Sequence, residues 1–476
     1  MKQIRYIGII LCLIYVLTIP INATTVAGGN GQNGSTDTKE VLITNGCNSI
    51  DAANSVLGTD QIVDNVISAF VYETKSDTLM YSLNPDERVS PSSLVKILTA
   101  LIAVERGNLD EIITVRGELL TEVPHDAVSA DLQADEVITL RDLLYCLMVD
   151  SANDAAIVIA DHIAGSQSAF VVEMNAYAQA LGCTNTSFTN VHGLHDENQY
   201  TTAKDMARIL AVAVKNSDFF TLFSTIHYNV PSTNKSEERM LSSGNFLMNT
   251  DDMQIYYDTR VTGGRTATTA DGRRSLAISA EHNGMELICV TMGSKDVLRD
   301  DGYTITVYGS YKETSALLDA AFNGYKTVQV LFPGQTIKQC SVLNGDSDVI
   351  LGSKNSAYAV LPADMSITGL SYRFSGADQF QAPIEKGQVL SSVQLWSGNV
   401  CVAQTDLVSM NSVAVASPTS VQNQHGNSNG IGKVILIVFS AVVVVVVITV
   451  LGIRLYSYFR YKVRHERRRR ARRRSR

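Results

Sequence analysis

Apolar and polar positions change rhythm several times along the 476-residue chain, and each rhythm predicts a different element. Ile7 to Ile19 is apolar after the basic start Met1-Lys2-Gln3-Ile4-Arg5, and it ends near the small residue Ala23. This short apolar core predicts a secretory signal peptide over residues 1–23. Residues 24–55 open with Gly28-Gly29-Asn30-Gly31 and read as a polar spacer. Two β-type runs, Ala69 to Glu73 and Thr78 to Ser82, flank Lys75-Ser76-Asp77 and predict a hairpin. From Leu94 to Val104 nearly every position is apolar and Gly107 follows, the pattern of a helix buried all round.

Thr139-Leu140-Arg141-Asp142 fits a capping box that opens a helical run from Leu143 to Met148. The polar stretch Asp150-Ser151-Ala152-Asn153 interrupts it, and helical spacing resumes from Asp154 to Ile163. Another helix is predicted from Thr201 to Val214. Gly263 to Thr269 reads as a strand, and the runs Ser275 to Glu281 and Met285 to Met292 meet at His282-Asn283-Gly284, a strong hairpin signal. Residues 56–326 therefore predict an α/β (α+β) domain with helices on an antiparallel sheet. In 327–408 short β-type runs (Val328 to Phe332, Tyr358 to Leu361, Gln388 to Leu395, Val400 to Leu407) predict a small all-β domain. Residues 409–430 read as a linker, and Val434 to Ile453 is 20 residues without a charge, which predicts a transmembrane helix within 431–454.

Charge adds an orientation. Arg454 to Arg476 holds 12 Lys/Arg against one Glu, so the tail 455–476 is expected on the cytoplasmic side and the body outside. The overall 39 basic and 47 acidic residues hide this split: without the tail, 27 basic face 46 acidic residues, a net of −19. Nothing aromatic accompanies the arginines, so they read as a topology signal favouring anionic lipid and not as a nucleic-acid site. Cys47, Cys146, Cys183, Cys289, Cys340 and Cys401 are scattered and read as small buried hydrophobes rather than a disulfide framework. His192-Gly193-Leu194-His195 lies in a glycine-containing loop and is a poor metal site, so no metal or cofactor is implied and structural roles are expected.

Candidate chemistry centres on Ser93 and Lys96. Residues three apart share a helical face, and a lysine amine against a buried wall loses solvation, which suits it to act as base for a neighbouring hydroxyl. Taken alone, a serine cap followed by a second-turn lysine accounts for the same spacing, and helix capping accounts for Ser151 and Asn153. What raises the pair above that reading is a set of motifs in order: Ser93-Leu94-Val95-Lys96, Ser151-Ala152-Asn153, and Gly264-Arg265-Thr266.

This constellation resembles the penicillin-recognising serine hydrolases. Tyr81 to Asn84, Val149 to Ala155, Phe188 to Leu194 and Leu276 to Met292 resemble in particular the D-alanyl-D-alanine carboxypeptidases, the low-molecular-mass penicillin-binding proteins of serine peptidase family S11, and 327–408 resembles their C-terminal domain. The resemblance implies a penicillin-binding-protein/β-lactamase-like transpeptidase domain held at the bacterial cell membrane by a single span, with its catalytic domain extracytoplasmic. It also implies that peptidoglycan stem peptides are substrates and β-lactams inhibitors. By the same resemblance, Ser93 attacks the penultimate D-alanine, Lys96 takes its proton, and Ser151 and Asn153 complete the hydrogen-bond network. Arg265 and Thr266 bind the terminal carboxylate, and the backbone N–H groups of Ser93 and Thr268 form the oxyanion hole. The third motif departs from the family's Lys-Thr-Gly and reads Arg265-Thr266-Ala267. Arginine keeps the charge but cannot release a proton, and Ala267 adds a methyl, so weakened turnover is the alternative expectation.

Overall fold

The computed structural model describes residues 49–417, apart from 53–54, 59–60, 252 and 378. The expected signal peptide, most of the spacer, most of the linker, the membrane span and the basic tail lie outside the described residues. Among the described residues no single helix is long and apolar enough to cross a membrane.

A five-stranded antiparallel sheet organises the first part. The hairpin β1 (Ser68–Glu73) and β2 (Thr78–Leu83) forms where the two β-type runs predict it. β3 (Val261–Thr268), β4 (Arg274–His282) and β5 (Met285–Ser294) complete the sheet in the order β2-β1-β5-β4-β3. Asn283 and Gly284 join β4 to β5 with φ of 50° and 82°, the left-handed pair that a tight hairpin turn requires. The two sheet edges are treated differently. Val56 and Leu57 donate their N–H groups to Leu79 and Met80 of β2 (3.0 and 2.9 Å), so the first residues of the domain cover one edge, while Asp51 just before them pairs with Lys204 (3.2 Å) and Arg208. Among the described residues β3 has a sheet partner on one side only.

Helices pack on one face. α1 (Val95–Arg106) is buried from Val95 through Val104, which explains why its pattern has no polar face. α2 (Leu140–Val149) is capped by Thr139, whose Oγ1 accepts from Asp142 N at 3.1 Å, and α3 (Asn153–Ala164) stops at Gly165 with φ 79°. α4 (Gln167–Ala180), α5 (Ala203–Ala213) and α6 (Ser217–Ser224) complete this layer, and Leu98, Leu101, Leu144, Ile159 and Met206 meet in its core. Truncating any one of these leucines to alanine would cost about 2–5 kcal/mol. α4 has no counterpart in the sequence reading, because it buries only Phe170, Met174 and Ala178 and is otherwise mixed in polarity. A small hairpin, His227–Val230 with Arg239–Ser242, braces α2. Tyr228 stacks on Tyr145 and donates to Asp142 Oδ1 (2.8 Å), while Arg239 pairs with the buried Glu136 (2.7 Å).

α7 (Gly309–Gly324) covers the other face of the sheet, with Leu317, Leu318 and Ala321 against Leu276, Ile278 and Leu287. It too went unread, since Glu313 and Thr314 are buried among its apolar positions and break the pattern. The all-β part begins at the next residue, with β6 (Tyr325–Leu331) paired to β9 (Ala357–Pro362). β7 (Thr336–Cys340), β8 (Val349–Ser353), β10 (Ser371–Ser375), β11 (Val389–Ser397) and β12 (Val400–Ser409) form a second sheet in the order β7-β8-β12-β11-β10. Its core joins Leu331, Leu351, Leu361, Val393, Leu395 and Leu407. Pairing runs past 408, with Val413 bridged to Ile384. Cys146, Cys183 and Cys289 are free and buried, as small core residues, and Cys340 is buried too; Cys401 departs from that expectation, being half-buried and disulfide-bonded.

Candidate active site

The chain enters α1 through a single 3₁₀ turn, Ser92–Leu94. Ser92 has φ 45°, a left-handed conformation that costs a non-glycine residue about 1 kcal/mol or more. Its hydroxyl donates to the Thr268 carbonyl at 2.6 Å, so the strain is fixed by a bond to the end of β3. Neither the turn nor α1 has a side-chain cap, which removes the capping explanation for Ser93. The Ser93 hydroxyl instead accepts from Ser151 Oγ at 3.2 Å, long for a hydroxyl pair and of the kind that tightens only around a substrate.

One turn on, Lys96 is only 1% exposed. Its Nζ donates to Asn153 Oδ1 (2.8 Å) and to the His192 carbonyl (2.5 Å). A neutral amine has two hydrogens and one lone pair, so these two acceptors use both hydrogens and leave the lone pair for the remaining direction. Burial holds the amine well below its ordinary pKa of 10.5; the nearby Arg265 charge acts the same way, and Asp154 opposes them. Ser93 and Lys96 share one helix face, as their spacing predicts.

Ser151 also has a left-handed backbone, φ 70°. Asn153 starts α3, and both its backbone N–H and its Nδ2 donate to the Val128 carbonyl (2.9 Å each), which leaves Oδ1 for Lys96. Asp154, which sequence reasoning passed over, anchors the rim. Its buried carboxylate accepts from Ser129 Oγ (2.7 Å), Leu132 N (3.0 Å), Ala130 N (2.9 Å) and Ala155 N (2.8 Å). The loop 129–132 before α2 is thereby tied to the helix that carries Asn153. The signal was present as an acid in the first turn of an otherwise apolar helix.

The His192 carbonyl is set by a loop braced internally. Gln199 Oε1 accepts from Thr189 N and Asn190 N (3.1 and 3.2 Å), and Asn190 Oδ1 accepts from Gly193 N at 2.7 Å. Thr99 donates to the Val191 carbonyl at 2.7 Å, one turn below the Lys96 contact. The His192 ring has the structural place expected of it: Nδ1 accepts from Leu194 N (3.1 Å), and burial, aided by Lys96, pushes its pKa down to about 4. Its carbonyl, a backbone group, left no trace in the sequence. Gly193 sits at φ 89°, and a Cβ there would lie 2.0 Å from the Ser92 carbonyl oxygen. Gly193→Ala is therefore expected to destabilise the protein by about 3 kcal/mol and to depress any activity that needs Ser93, because backbone on both sides of the clash must move. A lowered thermal unfolding midpoint checks it; an unchanged midpoint would contradict the contact.

Arg265 does not face outward as a carboxylate ligand would. It is 4% exposed, and Nη1 donates to the Met148 carbonyl at the end of α2 (2.8 Å), while Nε and Nη2 are buried without a hydrogen-bond partner among the described residues. Burial lowers its pKa to about 10, with Asp150 opposing, so it stays charged at neutral pH. Ala267, two residues along the same strand face, is buried in the helical core, so its methyl packs inward. Thr266 is half-buried and Thr268 exposed. The structure thus forms two hydrogen-bonded pairs, Ser93 with Ser151 and Lys96 with Asn153, one turn apart at the start of α1, with β3 linked to that turn through Ser92.

Comparison with known proteins agrees in extent. A family model described as D-alanyl-D-alanine carboxypeptidase, peptidase S11, matches residues 60–296, and one described as the C-terminal domain of penicillin-binding protein 5 matches 325–415. The chain is 30% identical over 349 residues to D-alanyl-D-alanine carboxypeptidase DacA of Haemophilus influenzae, covering 72% of this chain and 83% of the relative. It is 29% identical over 344 residues to D-alanyl-D-alanine carboxypeptidase DacC of Escherichia coli, covering 69% and 80%. Among solved structures, penicillin-binding protein 5 from Haemophilus influenzae superposes with a TM-score of 0.64 at 27% identity, covering 75% of this chain and all of that one.

Proposed function

The chain belongs to the D-alanyl-D-alanine carboxypeptidases of peptidase family S11, and from that premise we propose that it removes the terminal D-alanine of peptidoglycan stem peptides through an acyl-enzyme on Ser93. The observation that carries this reading is Lys96, a buried amine with both hydrogens engaged, one turn from a serine whose hydroxyl meets Ser151. Lys96 accepts the Ser93 proton as Oγ attacks the penultimate carbonyl. Ser151 passes a proton to the departing D-alanine nitrogen, and water then attacks the ester to free the shortened peptide and restore Ser93. The open side of β3 suits a peptide that adds as a further strand, with Thr266 beside its terminal carboxylate and the buried Arg265 charge behind it rather than in contact with it. The N–H groups of Ser93 and Thr268 would receive the developing oxyanion. β-Lactams would acylate the same serine.

The apolar run 434–453 would anchor the protein with this domain outside the cytoplasmic membrane. One observation favours a second reading, a stem-peptide binder with little turnover: the Arg265 guanidinium is turned toward Met148. Release of D-alanine from a diacylated peptide ending in D-Ala-D-Ala, by the full-length protein in detergent, decides between them. Steady release is the expected result. Binding of the peptide without release would overturn the hydrolytic reading in favour of the binder.

A further inference from the structure

The inward turn of Arg265 leaves a gap in the recognition of a peptide acid, because the terminal carboxylate of an incoming peptide needs a cation it can reach from the open side of β3. Arg274 is placed to supply it. It lies opposite Thr268 in the β3–β4 register, and its Nη1 donates to Thr268 Oγ1 at 3.4 Å, a weak contact that a carboxylate oxygen could readily take over. Thr268 is exposed, and its carbonyl is the acceptor for Ser92, the neighbour of Ser93. Arg274 therefore stands one cross-strand pair from the turn that carries the nucleophile.

Its guanidinium is also held in orientation. Nε donates to Asp296 Oδ2 at 2.6 Å, and the guanidinium carbon lies 4.7 Å from the centre of the Tyr308 ring. Asp296 is in turn fixed by the N–H of Gly309, which donates to its Oδ1 at 2.9 Å. The arginine side chain remains 28% exposed, whereas Asp296 is 8% exposed behind it. A fork braced on its Nε edge and on one face presents its remaining N–H groups with little rotamer freedom to lose, which is what selective binding of a planar anion requires.

We propose that Arg274 is a specificity-determining residue that receives the free carboxylate of the peptide beside the Thr268 hydroxyl, with the buried Arg265 charge reinforcing it from below. This rests on the reading that the substrate is a peptide acid, and it can be tested apart from turnover. Binding of the D-Ala-D-Ala peptide and of its C-terminal carboxamide is measured by calorimetry on full-length protein carrying Ser93→Ala, with and without Arg274→Gln. With Arg274 present, the acid is expected to bind about 10-fold or more tighter than the amide, as one charge-assisted contact allows. Arg274→Gln should abolish that preference and leave amide affinity unchanged, showing that the site is still folded. Arg274→Lys should restore part of the preference. An acid-to-amide ratio unaffected by Arg274→Gln, or equal weakening of both peptides, would overturn the assignment. A retained preference in a protein whose unaltered form releases no D-alanine would sink the hydrolytic reading and leave this one standing.

Discussion

Ser93→Ala is expected to lower D-alanine release by about 10⁴-fold or more and to abolish the covalent penicillin adduct, with almost no change in unfolding midpoint. The two halves of this expectation have separate causes. Activity falls because no other oxygen stands where the Ser93 hydroxyl does; Ser151 Oγ, its hydrogen-bond partner, is 3.2 Å away on the opposite wall. Stability is spared because Ser93 caps no helix and its hydroxyl is held by that one long bond, so a methyl replaces little. Intact-mass measurement after penicillin exposure, paired with a thermal scan, reads both. An adduct that persists in the variant would place the nucleophile elsewhere.

Lys96→Met should reduce release by about 10²–10⁴-fold, the range a positioned proton acceptor supplies, and the pH profile of the unaltered protein should report the same amine. Lys96 works as a base only when neutral. Burial and the Arg265 charge hold its pKa well below 10.5, so kcat/KM should stay high far below pH 10.5 and fall only as acid protonates the amine. Arg265→Gln removes one cause of the depression and should move this acid limb to higher pH, a change that loss of a carboxylate contact alone would not produce. The same depression has a stability sign. The unfolded chain binds the Lys96 proton below about 10.5 and the folded chain releases it earlier, so this residue makes folding more favourable as pH rises between the two values. A profile whose acid limb stays in place in Arg265→Gln would argue against the coupling.

Much of this was legible in the chain because the elements nearest the chemistry are also the most regular. The all-round apolar stretch from Leu94 to Val104 could only be a buried helix, and Asn283-Gly284 could only be a tight hairpin turn. Two short motifs in order then placed Ser93, Lys96, Ser151 and Asn153 together, and hydrogen bonds link them as two pairs, Lys96 with Asn153 and Ser93 with Ser151. What escaped was of two kinds. α4 and α7 carry mixed polarity on the faces they bury, so no clean period marks them. Among site groups, the His192 carbonyl belongs to the backbone, and Asp154 and Arg274 matter through partners distant in sequence: the loop 129–132 for one, Thr268 and Asp296 for the other. Arg265 was found, but its direction was not; a strand pattern says which face a side chain takes and not whether its charge ends in solvent or on the Met148 carbonyl.

The junction at Gly324 and Tyr325 has a mechanical meaning. α7 gives way to β6 with no intervening residue, Ala363 donates to the Gly324 carbonyl at 3.0 Å, Tyr325 Oη donates to the Val56 carbonyl at 3.2 Å, and Val360 of β9 shares a core with Leu318 and Phe322 of α7. A joint stitched on several sides has no slack. Under the anchored reading proposed above, a pull transmitted to the β domain would act on the serine cleft as a lever and not as a leash.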